Sequence, residues 1–403
     1  MGLYGKKYKV DDVNVIAFLA LAATGLWGRS VRNAFEEWGR VDWDRVIQLA
    51  REQALVGIVA SAFDAGVWGF ELQDVIDRSL SKALAKKVYS IEQRNLKMYS
   101  FVEKLFEKFE ANGLHPVLLK GQGVAQSYLN PLRRNPGDVD VLLAPGEYEI
   151  ARMLLLDKAS KVIDDCFDIK QTALLLSGFI VELHGALRLF LGKKIDAEMD
   201  SLHNQIFAAR KFRTVDFSGL IGSPESGYQV KLPEISIDVL YVFCHILQHF
   251  FTGGIGLRQV CDLCRLLYCY RDEIDKDWLR SELQKLGLWA EWKAFGALAV
   301  DYLGMWPEYV PFLVEDEAKG DGIAAKWHRK ARRILAYILS TGNMGKNRDD
   351  SYKKKYPYVI KKLISLMKII SNFWRLARIF PGNAALVSLK GVREGMTDLA
   401  DGQ

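Results

Sequence analysis

Cysteine is scarce in this chain, with five residues in 403, an odd number, and four of them lie at Cys244, Cys261, Cys264 and Cys269. Such a set does not suggest a disulfide framework and fits a reducing, cytoplasmic setting. Cys261 and Cys264 form a C-x-x-C, but no second cysteine pair or neighbouring histidine pair completes a zinc site. Proline is sparse as well, at 10 residues, and no Pro-rich or Ser/Gly-rich tether, low-complexity tract or internal repeat is present. No run reaches the ~18 apolar residues that a membrane span requires, and Lys368 and Arg375 interrupt the best late candidate. The apolar stretch Val15 to Trp27 follows Lys6, Lys7 and Lys9 as a signal peptide would. Asp11 and Asp12 intervene, however, and no A-x-A site closely follows, so a core helix is expected. Lys6 also breaks the myristoylation pattern.

One further absence is local. From Lys353 to Arg378 there are eight Lys or Arg and no Asp or Glu, in a stretch that also holds Tyr356, Tyr358, Phe373 and Trp374. It reads first as an amphipathic helix with its aromatics in the core, and second as a basic face that docks a partner. The rest of the composition is ordinary for a folded chain: 50% hydrophobic, 26% charged and a net charge of +6.

Helical spacing fills the first hundred residues, and a long helix is expected from about Lys82 to Glu110, stopping at Ala111-Asn112-Gly113. The texture then changes. Short apolar runs at Pro116 to Leu119, Val139 to Leu143 and Phe179 to Leu183 read as strands, with Val230 as the edge of the unit. Gly123 to Leu129 and Glu147 to Leu156 read as intervening helices, and helical periodicity returns from Ile237. The expected organisation is a helical region over 1–110, a mixed α/β core over 111–235 and a second helical region over 236–403. With no flexible tether before Ile237, the last region is expected to pack on the core and close one wall of its cleft.

Three Asp-x-Asp triplets occur, Asp42/Asp44, Asp138/Asp140 and Asp275/Asp277, so the triplet alone says little. Only Asp138/Asp140 opens an expected strand, where residues i and i+2 share a face ~6 to 7 Å apart. Two ionised carboxylates so placed repel each other, and a divalent cation with oxygen ligands removes the conflict. Upstream, Lys120-Gly121-Gln122-Gly123 ends one strand and opens a helix where phosphate oxygens can sit. Arg133 and Arg134, in a loop with Pro131 and Pro136, can grip a phosphate or simply carry surface charge. Glu182 lies inside the apolar strand Gly178 to His184 and needs a partner there. The choices are a salt bridge to Arg188 or Lys193, or a shared cation with Asp138 and Asp140, which is the favoured reading.

Three segments together, Leu118-Leu-Lys-Gly121, Arg134-Asn-Pro-Gly-Asp-Val-Asp140-Val-Leu-Leu143 and Val181-Glu-Leu-His184, resemble the uncharacterised bacterial nucleotidyltransferase-like family of the polymerase-β superfamily. The resemblance is close over 114–190 and looser over most of the chain, including the helices around Trp43, His245-x-x-x-His249 and Arg258-x-x-x-Asp262. It implies a minimal nucleotidyltransferase core, a small mixed sheet flanked by helices. In that core Asp138, Asp140 and Glu182 would hold two Mg²⁺, with Mn²⁺ as an alternative, and Lys120, Gly121, Gly123, Arg133 and Arg134 would face the phosphates of a nucleoside triphosphate. The superfamily's Gly-Ser is here Gly121-Gln122, and its third acid is Glu182.

His184 is placed to orient Glu182, or to be a satisfied core histidine. His245, His249, Arg258 and Asp262 are candidates for the acceptor side, although an i, i+4 ion pair is the simplest reading of the last two. The acceptor stays open among small molecule, sugar, protein and nucleic acid. Two other readings are carried: a degenerate core that binds a nucleotide or a partner, and a metal-dependent glycosyltransferase. The second leaves Lys120-Gly121 and Glu182 unexplained.

Overall fold

The structure, a computed structural model, describes residues 8–29, 37–64, 75–166, 170–189, 191–221, 228–317, 321–347 and 357–384. Helix α1 (Val13–Trp27) starts where the Asp12 carboxylate accepts from Asn14 N and stops at Gly28, whose φ of 68° suits a residue without Cβ. It is buried nearly all round, as a core helix must be. Asp42 caps α2 (Trp43–Glu52), and α3 (Val56–Asp64) follows. Asp77 accepts from Ser79 N and Leu80 N and so starts the long α4 (Arg78–Glu110) four residues before its expected beginning.

Strand β1 (Val117–Leu119), the short α5 (Gly121–Ala125), β2 (Val139–Leu142) and α6 (Tyr148–Leu156) follow the expected order. The chain then adds β3 (Lys161–Cys166), β4 (Gln171–Leu176) and β5 (Phe179–His184). The five strands form one mixed sheet in the order β1-β2-β5-β4-β3, with β2 and β5 parallel and the other pairs antiparallel. Their register sets Asp140 opposite Glu182 and Leu142 opposite His184. Side chains alternate between faces along a strand. Val139, Val141, Val181 and Leu183 therefore enter a core shared with α4 and α6, while Asp140, Glu182 and His184 project from the other face.

Helix α7 (Lys193–Ala208) leads to β6 (Phe212–Asp216) and β7 (Gln229–Pro233), which pair with each other in a separate two-stranded sheet. Val230 thus pairs with Val215 in this second sheet, and its side chain enters the same core as β2 and β5. Helices α8 (Ile235–Thr252), α9 (Leu257–Cys269), α10 (Lys276–Leu286), α11 (Trp289–Leu303), α12 (Asp321–Thr341) and α13 (Tyr358–Ala377) complete the described chain.

Side chains of α1 to α3 and of α8 to α12 share one continuous core, which also reaches Leu119 and Leu142 on the sheet. Helix α8 corrects the reading that no run is long enough to span a membrane: its 18 residues suffice by length and hydropathy, with Asp238 inside them. Most of that helix is buried within the fold, and Asp238 accepts from Arg213 at 2.6 Å. Of the basic stretch, residues 353–356 lie outside the described residues. Phe373 packs on the core as expected, but Trp374 faces outward at 61% exposure.

Candidate active site

The site begins at a strained backbone. Lys120, between β1 and α5, has φ 53° and ψ −143°, a conformation that costs a non-glycine residue ~1 to 3 kcal/mol. Gly121 follows with φ 47°. The sharp turn brings Lys120 Nζ 3.0 Å from Asp140 Oδ1 and 2.7 Å from His245 Nε2, tying the sheet to α8.

Asp140 is 1% exposed and takes a second hydrogen bond from His184 Nε2 at 3.0 Å. Burial opposes its charge, but Lys120 and His184 outweigh burial and hold its carboxyl below the usual range. Lys120 is raised in turn: burial disfavours its ammonium, and Asp140, ahead of Tyr241, Asp138 and Glu182, more than compensates.

Glu182 takes the opposite course. Burial, then the charges of Asp140 and Asp138, push its carboxyl up to about 8. The alternative salt bridge to Arg188 does not form, since Arg188 pairs with Asp200. At neutral pH with no divalent cation present, the Asp140/Glu182 pair therefore shares one proton, held on Glu182.

The sign of the linked stability follows from these values. The unfolded chain releases the Glu182 proton near 4.5, and the folded protein keeps it to about 8, so this group lowers stability as pH rises between those points. His245 and His249 act in the other sense, losing stability as pH falls below 6.5. In metal-free buffer, the stability of the native protein relative to Glu182→Gln should decline steadily from pH 5 to 8. Urea titrations at several pH values measure this, and parallel curves would refute it.

Around the acids lies a cavity of about 460 Å³. The sheet side supplies Lys120, Gly121, Arg134, Asp138, Asp140 and Glu182; the helical side supplies His245, His249, Arg258 and Asp262. Asn343, Met344 and Lys346, from the turn after α12, complete the wall; nothing in their spacing marks them in the sequence. The ligand atoms of Asp140, Glu182 and His184 lie within 4.8 Å of one another. Asp138 lines the same cavity outside that tight group.

Loop 131–138 is held rigidly. Asn95 of α4 donates to the carbonyls of Leu132 and Arg134, at 2.6 and 2.8 Å. A Cβ on Gly57 of α3 would lie 2.0 Å from Arg133 O, so the loop presses directly on that helix. Arg134 is buried and makes a two-bond pair with Asp262, Nε to Oδ1 at 2.7 Å and NH2 to Oδ2 at 2.8 Å. Asp262 Oδ1 also accepts from Tyr128 OH at 2.7 Å.

This geometry replaces the expected Arg258–Asp262 pair. Arg258 instead donates to the carbonyls of Asn135 and Pro136, and its buried Nε has no hydrogen-bond partner. Arg133 is not among the lining residues: it turns away to Asp64 and Glu92. Gly123 is also off the cavity, packed against Leu232.

His249 Nε2 lies 3.0 Å from His245 Nε2. Burial, then Lys120, hold His245 well below the usual range and His249 at about 4, so both rings are neutral at pH 7. An ammonium has no lone pair, so the Lys120 bond makes His245 Nε2 an acceptor with its proton on Nδ1. That nitrogen has a single lone pair, so His249 Nε2, 3.0 Å away, can at most share it with Lys120.

No curated protein and no solved structure matches the chain significantly. A family model described as "Uncharacterised nucleotidyltransferase" matches residues 39–304, a span that contains the whole sheet, the acids and α8 to α11. That match covers well over half the chain, which thus belongs to the uncharacterised nucleotidyltransferase family.

Proposed function

We propose that the cavity binds a nucleoside triphosphate with Mg²⁺ and transfers its nucleotidyl group to an acceptor hydroxyl. The observation that carries this reading is the register of β2 on β5, which sets two buried carboxylates side by side with one lysine between them and the helical wall. The donor set fits a hard divalent cation: carboxylate oxygens of Asp140 and Glu182, with Asp138 beside them and one imidazole from His184. Glu182 gains a reason to ionise only when a cation replaces its proton.

Asp138, Asp140 and Glu182 would hold two Mg²⁺, or Mn²⁺ in their place. When bound, such ions neutralise phosphate charge and acidify the acceptor hydroxyl. Lys120 supplies a positive charge that can pass from Asp140 to a phosphate oxygen, and Gly121 leaves room for close backbone approach. Arg258, whose Nε has no hydrogen-bond partner, adds a positive charge on the helical side, while Arg134 is paired with Asp262. A carboxylate oxygen of Asp140 or Glu182 receives the acceptor proton. His245 and His249, neutral and facing the acids, bound the acceptor side.

The test is thermal. Mg²⁺ with a nucleoside triphosphate at ~100 times its Kd should stabilise the protein by about 2.7 kcal/mol. Asp138→Asn combined with Asp140→Asn should remove that shift while leaving the apo melting temperature nearly unchanged. The same shift in the double variant would place the nucleotide elsewhere. A shift without pyrophosphate release from any triphosphate would favour the binding-module reading.

A further inference from the structure

Helix α13 lies beyond the span matched by the family, and the site described above does not use it. Leu376, Phe373 and Ala377 pack it on the core, and polar side chains add to the hold: Asn372 Oδ1 accepts from Tyr337 OH at 2.9 Å, and Arg375 donates to Ser340 Oγ. Its outward side carries Ile360, Leu363, Leu366, Met367, Ile370 and Trp374, all between 40% and 61% exposed. Spacings of three and four residues put these on one stripe. They are six of the fifteen large exposed apolar residues among those described, gathered on a single helix.

The charge along this segment has one sign. No Asp or Glu occurs from Lys353 to Arg378 among eight Lys or Arg. At the C-terminal end, Arg333 of α12 donates to Arg378 O, and both residues are exposed.

We propose that α13 docks the protein on an anionic lipid surface, lying in the plane of the interface with its apolar stripe among the acyl chains and its cations among the headgroups. Trp374 and leucine on one face with lysine and arginine on the other is the pattern such helices use. A second copy of the chain is the poorer occupant for two reasons. It would bring the same positive charge, and the stripe, ~22 Å long by ~10 Å wide, falls short of the ~800 Å² per partner of a standard interface.

The experiment uses the full chain and sedimentation with vesicles of phosphatidylcholine alone or mixed with phosphatidylserine. Binding to the anionic vesicles should exceed binding to the neutral ones by at least ~10-fold and should fall as salt is raised. Leu363→Glu combined with Met367→Glu, both at exposed positions, should abolish it without changing the melting temperature. Equal binding to both vesicles, or none, overturns the proposal from the native protein alone, whatever the variant does. A lipid-free dimer that the double variant converts to monomer would assign the stripe to a second copy and overturn it equally.

Discussion

Asp262→Ala is expected to destabilise the protein by about 3 to 5 kcal/mol, because it removes one partner of a buried ion pair and leaves the other in place. Arg134 would keep its guanidinium inside the fold with both of its strongest bonds gone, and Tyr128 OH would lose its acceptor. Arg258 would worsen the imbalance. Burial, then Arg134, already weaken its hold on a proton, and Asp262 is the strongest of the charges that offset them. Urea denaturation measures the loss. The double variant Arg134→Ala with Asp262→Ala should lose clearly less than the sum of the singles, since neither leaves a stranded charge. A single-variant loss below ~1 kcal/mol would mean that water, and not the ion pair, satisfies these groups.

Asp140→Asn is expected to leave the fold intact and to disable the site. In the native metal-free protein Asp140 is ionised and Glu182 holds a proton. Removing the Asp140 charge frees Glu182 to ionise and to take over as the counterion of Lys120, so the net charge of the cluster is conserved. Binding of a divalent cation has no such substitute. Outer-shell partners alone are worth 10 to 100-fold in metal affinity, so the loss of a ligand should cost at least ~10²-fold. Mn²⁺ titration followed by electron spin resonance reads this directly, with thermal denaturation as the control for folding. Native Mn²⁺ affinity in the variant would contradict the assignment of Asp140 as a ligand.

Strands β2 and β5 were legible because each alternates a polar residue with valine or leucine, a pattern only a two-faced strand satisfies. Strands β3 and β4 were not. Lys161–Cys166 is exposed along its whole length, so no burial pattern marks it, and the Ala-Leu-Leu-Leu of β4 suits a helix equally well. The pair exists because β5 offers β4 an open edge, a fact of the sheet and not of the local sequence. The site shows the same division. That Asp140 and Glu182 line the cavity could be read from their positions within strands, and Lys120 and Asp138 from their places at strand ends. Arg133 and Arg134 could not be told apart, since adjacent residues in a loop point where their neighbours allow: one meets Glu92 and Asp64, the other Asp262. Local spacing also misassigned Asp262, because a guanidinium from a distant loop offers it two parallel bonds where Arg258 one turn away offers none. The Asn343 to Lys346 wall reaches the cavity only through the packing of α12.

The parallel register of β2 on β5 also acts as an error check during folding. The two strands are separated by α6 and the β3–β4 hairpin, so they must find each other across a long stretch of chain, and such pairings form late. A slip of one residue would turn every side chain to the other face. Asp140 or Glu182 would then enter the valine and leucine core without a partner, at a cost no misregistered sheet can recover. The acids proposed to hold the cation therefore also forbid the nearest wrong fold, and a mutation that made them apolar would remove that safeguard.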